Sequence, residues 1–159
     1  GSSHDSYAAY TEDGTVYAKV MDRLTLKMKT AVNYLPEPEF SERTSNNLGL
    51  AFIGTTTSAI NEVLDSLAKK GITPDTMRIR AFPFHDSVTE FFDAHELVFV
   101  IEQNRDAQLK SLLKIECNIH EEKMHSILSY DGVLITAQHI EKSILNSMTD
   151  MNASGEIPA

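Results

Sequence analysis

Apolar residues follow two different periods along this chain. Between residues 17 and 35 they recur every three or four positions, with lysine and arginine between them, which predicts an amphipathic helix. Pro36 and Pro38 end that helix because proline lacks a backbone donor. Further on, short apolar runs predict strands over 48–53, 76–82, 96–101 and 124–130, with at most a short edge strand near 40–44.

A helical pattern follows each of the four strands. The expected helices carry Ile60, Val63, Leu64 and Leu67; Val88, Phe91 and Phe92, with Asp86 or Ser87 as N-cap; 103–116, with Leu109, Leu112 and Leu113 inward; and 136–148. A repeated strand–helix order requires crossover connections and therefore a mostly parallel sheet covered on both faces. The prediction is an α/β fold, a three-layer α/β/α sandwich, preceded by an N-terminal helix.

The same pattern suggests three parts. Residues 1–38 form an arm and a linker helix, residues 39–150 form the α/β domain, and residues 151–159 form a flexible tail.

Charge and cysteine content narrow the class of protein. The net charge is −9, so this chain gains little binding free energy from releasing the counterions of nucleic acid. We therefore expect no nucleic-acid partner. No apolar run is long enough for a membrane span, and the first residues do not resemble a signal peptide. A single cysteine, Cys117, allows no internal disulfide, which favours a reducing compartment and a cytoplasmic location.

In a parallel sheet, ligands bind where the strands end, and three loops are predicted to meet there. The first, Gly54, Thr55, Thr56, Thr57 and Ser58, opens a helix and either holds a phosphate or carboxylate or is an ordinary capped turn. The second loop contains Phe84 and His85, which are aromatic packing residues or an acid–base group. The third, Glu102, Gln103, Asn104 and Arg105, either caps the next helix or faces a partner, and a guanidinium can clamp an anion.

The remaining reactive residues do not form a recognisable catalytic pattern. His120, Glu121, Glu122 and His125 lack the spacing that places two imidazoles on one helix face, and a solvated helix end explains them. Cys117 has no activating group in its sequence neighbourhood and is expected to be an inert thiol. We therefore predict no catalytic and no metal-binding residue in this chain.

Three stretches, in order, resemble the alpha subunit of 2-oxoacid:ferredoxin oxidoreductases, the group of the 2-oxoglutarate and pyruvate enzymes. They are HDSYAAYTED at 4–13 before a basic helix, RAFPF at 80–84, and VIEQNRDAQL at 100–109, which is similar to the family's Glu-Gln-Asn-Arg-Asp-Gly-Gln-Leu run. Ala107 stands at that run's glycine. Val133 and Leu134 stand where a proline is usual, which leaves the oxoacid open.

The resemblance implies the region after the pyrimidine-binding domain, similar to the transketolase C-terminal domain, with a five-stranded mixed sheet whose antiparallel strand would be 40–44. It also implies an enzyme complex that uses thiamine diphosphate, Mg²⁺, [4Fe–4S] clusters and coenzyme A, with ferredoxin as acceptor. This chain lacks the activating glutamate and the diphosphate motif. We therefore expect it to be a non-catalytic domain, inactive alone, that contacts the other alpha-subunit domains and the beta subunit.

Two alternatives stay open at this point. The chain could be a free-standing module that binds a small anion, phosphate or coenzyme A through 54–58. It could also be the equivalent domain of a transketolase or of an E1 beta subunit.

Overall fold

The structure is a computed structural model that describes residues 3–41 and 47–154. Its helices are α1 (Gly14–Ala31), α2 (Thr57–Ala68), α3 (Asp86–Asp93), α4 (Gln108–Cys117) and α5 (Ala137–Ser154). Its strands are β1 (Glu39–Phe40), β2 (Leu48–Ile53), β3 (Asp75–Ile79), β4 (Leu97–Glu102) and β5 (Met124–Leu128). Short 3₁₀ turns follow α1 and β2 and precede β5.

The five strands form one mixed sheet in the order β1-β3-β2-β4-β5. Strands β2 to β5 pair in parallel, and β1 pairs with β3 antiparallel. The predicted mixed sheet with four parallel strands is confirmed, and so is an antiparallel edge strand. That strand covers two residues, and the 42–44 part of its prediction lies outside the described residues.

Two apolar clusters, one on each face of the sheet, make the three layers. Alternate side chains of β4 supply both: Phe99 and Ile101 pack with α2 and α5, whereas Val98 and Val100 pack with α3 and α4. Because every residue of β4 from Val98 to Glu102 is buried, its continuous apolar run is explained by a sheet covered on both faces.

Several helix and strand ends differ from their predictions. The strand expected over 76–82 ends at Ile79, and the strand expected over 124–130 ends at Leu128. The helix expected from residue 103 begins at Gln108, because Ala107 has a left-handed backbone that interrupts a helix. The last helix continues to Ser154, with Met151 buried. The division at residues 38 and 150 stays a prediction.

Candidate functional site at the carboxyl end of the sheet

The three predicted loops lie at one end of the sheet, which we call the carboxyl end, because β2, β3 and β4 run parallel. The loops after β2 and β4 touch: Gln103 Nε2 donates to Thr55 Oγ1 at 2.8 Å and to Thr56 Oγ1 at 3.4 Å. Neighbouring strands in parallel register bring these side chains together. The predicted meeting of 54–58 with 102–105 is therefore observed.

The loop after β2 is a tight turn that uses its own hydroxyls. Gly54 has a φ of 63°, a left-handed conformation that glycine adopts without a steric cost. Thr57 Oγ1 donates to the Gly54 carbonyl at 2.8 Å, Thr56 is fully buried, and Thr55 and Ser58 are exposed. Because Thr57 and Thr56 are held within the turn, Thr55 and Ser58 are the hydroxyls that face outward.

Glu102 is a buried cap for α4. Its side chain is 1% exposed and accepts from the backbone N–H of Leu109 at 2.7 Å and of Lys110 at 3.2 Å. Asn104 Nδ2 also donates to Glu102 Oε2. A carboxylate at a helix N-terminus is stabilised by the unpaired N–H groups and the helix dipole. Of the two interpretations given above, capping of the next helix or contact with a partner, the hydrogen bonds of Glu102 show capping.

Asn104 and Arg105 are also engaged locally. Asn104 Oδ1 accepts from the backbone N–H groups of Asp106 at 3.0 Å and Gln108 at 3.2 Å. The exposed Arg105 guanidinium forms two hydrogen bonds with the carboxylate of its neighbour, Asp106, at 2.8 and 3.3 Å. Asp106 thus already occupies the fork that an anionic ligand would use.

His85 is the N-cap of α3, which corrects the assignment of that cap to Asp86 or Ser87. The Ser87 backbone N–H donates to His85 Nδ1 at 3.2 Å, and Ser87 Oγ lies 2.8 Å from the same nitrogen. Nδ1 is therefore the acceptor that caps α3. Phe84 packs edge-on against Phe82 at 5.3 Å and against the core on the α3 side.

Exposed apolar side chains lie at the same end of the sheet as these engaged polar groups. Ile53 ends β2, Phe82 follows β3, and Tyr130, Val133 and Leu134 follow β5, all at the carboxyl end. Sequence reasoning missed these exposed side chains. Their one visible signal was Val133 and Leu134, which stand where the family that the sequence resembles usually has a proline. A surface with satisfied polar groups and exposed apolar ones resembles an interface more than a reaction site.

The other reactive groups do not converge on a site. Glu121 forms ion pairs with Lys114 and Lys110, and the hydrogen bond from Lys114 lowers the pKa of the Glu121 carboxyl. Within 3–41 and 47–154, no three His, Cys, Asp or Glu side chains are grouped as metal ligands would be. None of the described helices is long and apolar enough to cross a bilayer.

Sequence reasoning also missed a buried pair at the opposite end of the sheet. His95 Nε2 lies 3.2 Å from Asp75 Oδ2, and both residues are almost fully buried. His95 Nδ1 donates to the Phe91 carbonyl at 2.6 Å, and its ring packs on the Phe91 ring at 4.3 Å. The 20-residue separation of the pair gave no signal in the sequence.

Comparison with known proteins gives a consistent family. No family model matches the chain. A curated relative, the 2-oxoacid:ferredoxin oxidoreductase subunit alpha of Saccharolobus solfataricus, is 25% identical over 149 residues, covering 91% of this chain and 23% of the relative. The chain thus spans about a quarter of that relative's length.

A solved structure shares the fold of this chain. The 2-oxoglutarate:ferredoxin oxidoreductase of Magnetococcus marinus, solved with 2-oxoglutarate, coenzyme A and succinyl-CoA bound, matches with a TM-score of 0.75 and 17% identity. The match covers 92% of this chain and 26% of that one. The alpha chain of a probable 2-oxoacid ferredoxin oxidoreductase from Thermoplasma acidophilum matches over 71% of this chain with a TM-score of 0.49 and 23% identity. The curated and the structural neighbours name the same family, and the predicted resemblance of this chain to the alpha subunit of 2-oxoacid:ferredoxin oxidoreductases is confirmed.

Proposed function

We propose that this chain is a non-catalytic domain of the alpha subunit of a thiamine-diphosphate-dependent 2-oxoacid:ferredoxin oxidoreductase. Such an enzyme decarboxylates a 2-oxoacid oxidatively to an acyl-CoA and passes the electrons to ferredoxin. The relatives' names support the reaction class, and the small share of each relative that this chain spans supports a role as one part of it. A cytoplasmic location and contact with a beta subunit belong to the same proposal.

The proposed role rests on which side chains are exposed at the carboxyl end of the sheet. Most of its polar side chains bond to one another or cap helices, whereas Ile53, Phe82 and Leu134 are exposed there. Interface cores are depleted in charge and rich in apolar and aromatic groups. The carboxyl end therefore suits contact with the catalytic domains of the complex. Thiamine diphosphate, Mg²⁺ and the clusters would be bound by other parts of the enzyme, where their chemistry is supplied.

A matched pair of variants tests this interface. Leu134 and Ile115 are equally exposed, at 74% and 75%, but Leu134 lies at the carboxyl end and Ile115 lies on α4. In the complete enzyme, Leu134→Ser should lower subunit assembly and oxoacid-dependent acceptor reduction, and Ile115→Ser should not. Thermal unfolding of the isolated chain should be the same for both variants. Equal assembly of the two variants would contradict the interface.

Assays of the isolated chain test whether catalysis and cofactor binding belong to other parts of the enzyme. With a 2-oxoacid, thiamine diphosphate, Mg²⁺, coenzyme A and an electron acceptor, we expect no product. Turnover by this chain alone would overturn the proposal. Calorimetry with phosphate, coenzyme A and thiamine diphosphate should show no binding, and tight binding would favour an anion-binding module that uses 54–58 instead.

A further inference from the structure

The segment before the α/β layers, residues 3–35, exposes an unusual share of the large apolar side chains. Among the residues that the structure describes, fifteen large apolar side chains are exposed. Eight of them lie in this segment, which is about a fifth of the chain: Tyr7, Tyr10, Tyr17, Met21, Leu24, Leu26, Met28 and Tyr34. Scattered apolar residues on a surface are normal, but a concentration of them marks a binding surface.

This segment is ordered by its own hydrogen bonds. Asp5 Oδ1 accepts from the backbone N–H groups of Tyr7 at 2.8 Å and Ala9 at 2.9 Å, which fixes the turn that presents Tyr7. Asp13 Oδ1 accepts from Thr15 and Val16 and so caps the start of α1. The backbone around Tyr7 and the start of α1 are thus held in place without a partner, which reduces the entropic cost of binding one.

The apolar residues of α1 form one stripe, which we call the α1 stripe: Tyr17, Val20, Met21, Leu24, Met28 and Ala31. Spacings of three and four place them on one face of the helix. Val20 is buried, but every residue from Met21 to Thr30 is exposed. An amphipathic helix usually covers a core with such a face, and here most of the face, from Met21 to Met28, is turned to solvent.

Charge identifies the kind of surface that fits the α1 stripe. Arg23 and Lys27 follow Val20 by three and seven positions and therefore flank the stripe on one side. In the part of the chain that the structure describes, neither cation has an ion-pair partner. The helix carries a net charge of +3, with four cations and Asp22; since the whole chain carries −9, the remainder carries −12.

These charges disfavour two other partners for the α1 stripe, a second copy of the helix and a membrane. A second α1 packed antiparallel would bring the Arg23 and Lys27 of both copies together, which is repulsive. An anionic membrane would attract the helix but repel the acidic remainder of the chain. A protein surface with an apolar centre and carboxylates along one side satisfies both the stripe and its cations.

The structural comparison indicates where that surface lies. The match to the Magnetococcus marinus enzyme covers 92% of this chain and leaves about 13 residues unmatched. Because α1 has 18 residues, at least part of α1 belongs to the shared fold. That enzyme's chain is almost four times as long as the matched part. We propose, on the basis of the function proposed above, that the α1 stripe packs against an acid-flanked apolar surface on a neighbouring domain of the same alpha subunit.

Methionine oxidation by hydrogen peroxide tests the contact, because Met21 and Met28 lie on the stripe and are 44% and 48% exposed. Both should oxidise readily in the isolated chain. In the complete enzyme their oxidation should fall to the slow rate of Met77 and Met124, which are buried in the sheet and serve as internal controls. Unchanged oxidation of Met21 and Met28 in an assembled enzyme would overturn the contact.

Two lysine variants and a cross-linker identify the partner. Lys27→Glu should restore Met28 oxidation in the complete enzyme, whereas Lys29→Glu, on the opposite side of α1, should leave it protected. A zero-length carbodiimide should join Lys27 to an Asp or Glu of the same subunit outside residues 1–159. A link to a second copy of residues 1–159, or to another subunit, would overturn the proposed partner. If the native protein is no larger than this chain, the proposed function itself fails, which is a distinct outcome.

Discussion

The two ends of the sheet are built in opposite ways. At the amino end, Asp75 and His95 are buried together, and His95 packs on Phe91, which in turn packs on Gly49. At the carboxyl end, most polar side chains form hydrogen bonds within their own loops, and apolar residues such as Tyr130 and Leu134 are exposed to solvent. The difference separates two roles: the amino end stabilises the fold, and the carboxyl end is available for contact.

The largest effect should come from breaking the pair at the amino end. His95→Ala removes a buried partner of Asp75 and a ring packed on Phe91, and it should lower the free energy of unfolding by about 3 kcal/mol. Urea titration of the chain measures this. The exposed His120 provides the control, since His120→Ala should change stability by less than about 0.5 kcal/mol. Equal losses for both variants would show that the buried pair does not stabilise the fold.

A change of charge at the carboxyl end should cost somewhat less. Glu102→Gln keeps the shape but replaces a carboxylate that accepts from Leu109 and Lys110, and it should lower the free energy of unfolding by about 2 kcal/mol. Glu122→Gln, at an exposed site, should have almost no effect on the same urea titration. If Glu102→Gln is neutral, the carboxylate is not the cap of α4 that its geometry indicates.

A smaller effect, an increase in stability, is expected from a substitution at Ala107. Ala107 has a φ of 50° and a ψ of 49°, a conformation that glycine adopts more easily than alanine. Ala107→Gly should therefore raise the free energy of unfolding by about 0.5–1 kcal/mol, as measured by thermal or urea unfolding. Asn118→Gly, at another residue with a left-handed backbone, should gain less because asparagine tolerates this conformation. A loss at residue 107 would mean that Ala107 is not strained there.

The smallest effect concerns chemical reactivity. Cys117 is the last residue of α4, and partial burial raises the pKa of its thiol above the ordinary value. A raised pKa lowers the thiolate fraction near pH 8, so iodoacetamide should react more slowly with Cys117 than with glutathione. The rate should increase as the pH rises further, and in denaturant it should reach that of a free thiol. A rate equal to that of glutathione in the native chain would contradict the shielding of Cys117.

Most of the layer architecture could be predicted from the sequence. The apolar period distinguishes strands from helices, and the run over 96–101 indicates a strand covered on both faces, as β4 is. Helix starts were predicted less well. The start of α4 depends on Glu102 and Asn104 accepting from N–H groups four to eight residues ahead, and the cap of α3 is a histidine, a residue that is not a usual N-cap.

The candidate site, too, could be predicted from the sequence only in part. The order of strands and loops was enough to place 54–58 and 102–105 together, because parallel strands end on the same side. The bond from Gln103 to Thr55, the fork of Arg105 on Asp106 and the buried pair of Asp75 with His95 depend on distances between residues far apart in the chain or on rotamers.

The sequence by itself determined the fold class, the excess of negative charge and the resemblance to an enzyme subunit, because periodicity, composition and motifs are local properties of a chain. Only the tertiary structure decided that most polar side chains of the loops are hydrogen-bonded within the fold, that apolar side chains are exposed at the same end of the sheet, and that most of the α1 stripe faces solvent. An amphipathic pattern states that a helix has an apolar face, but whether that face is covered depends on what the rest of the fold places against it.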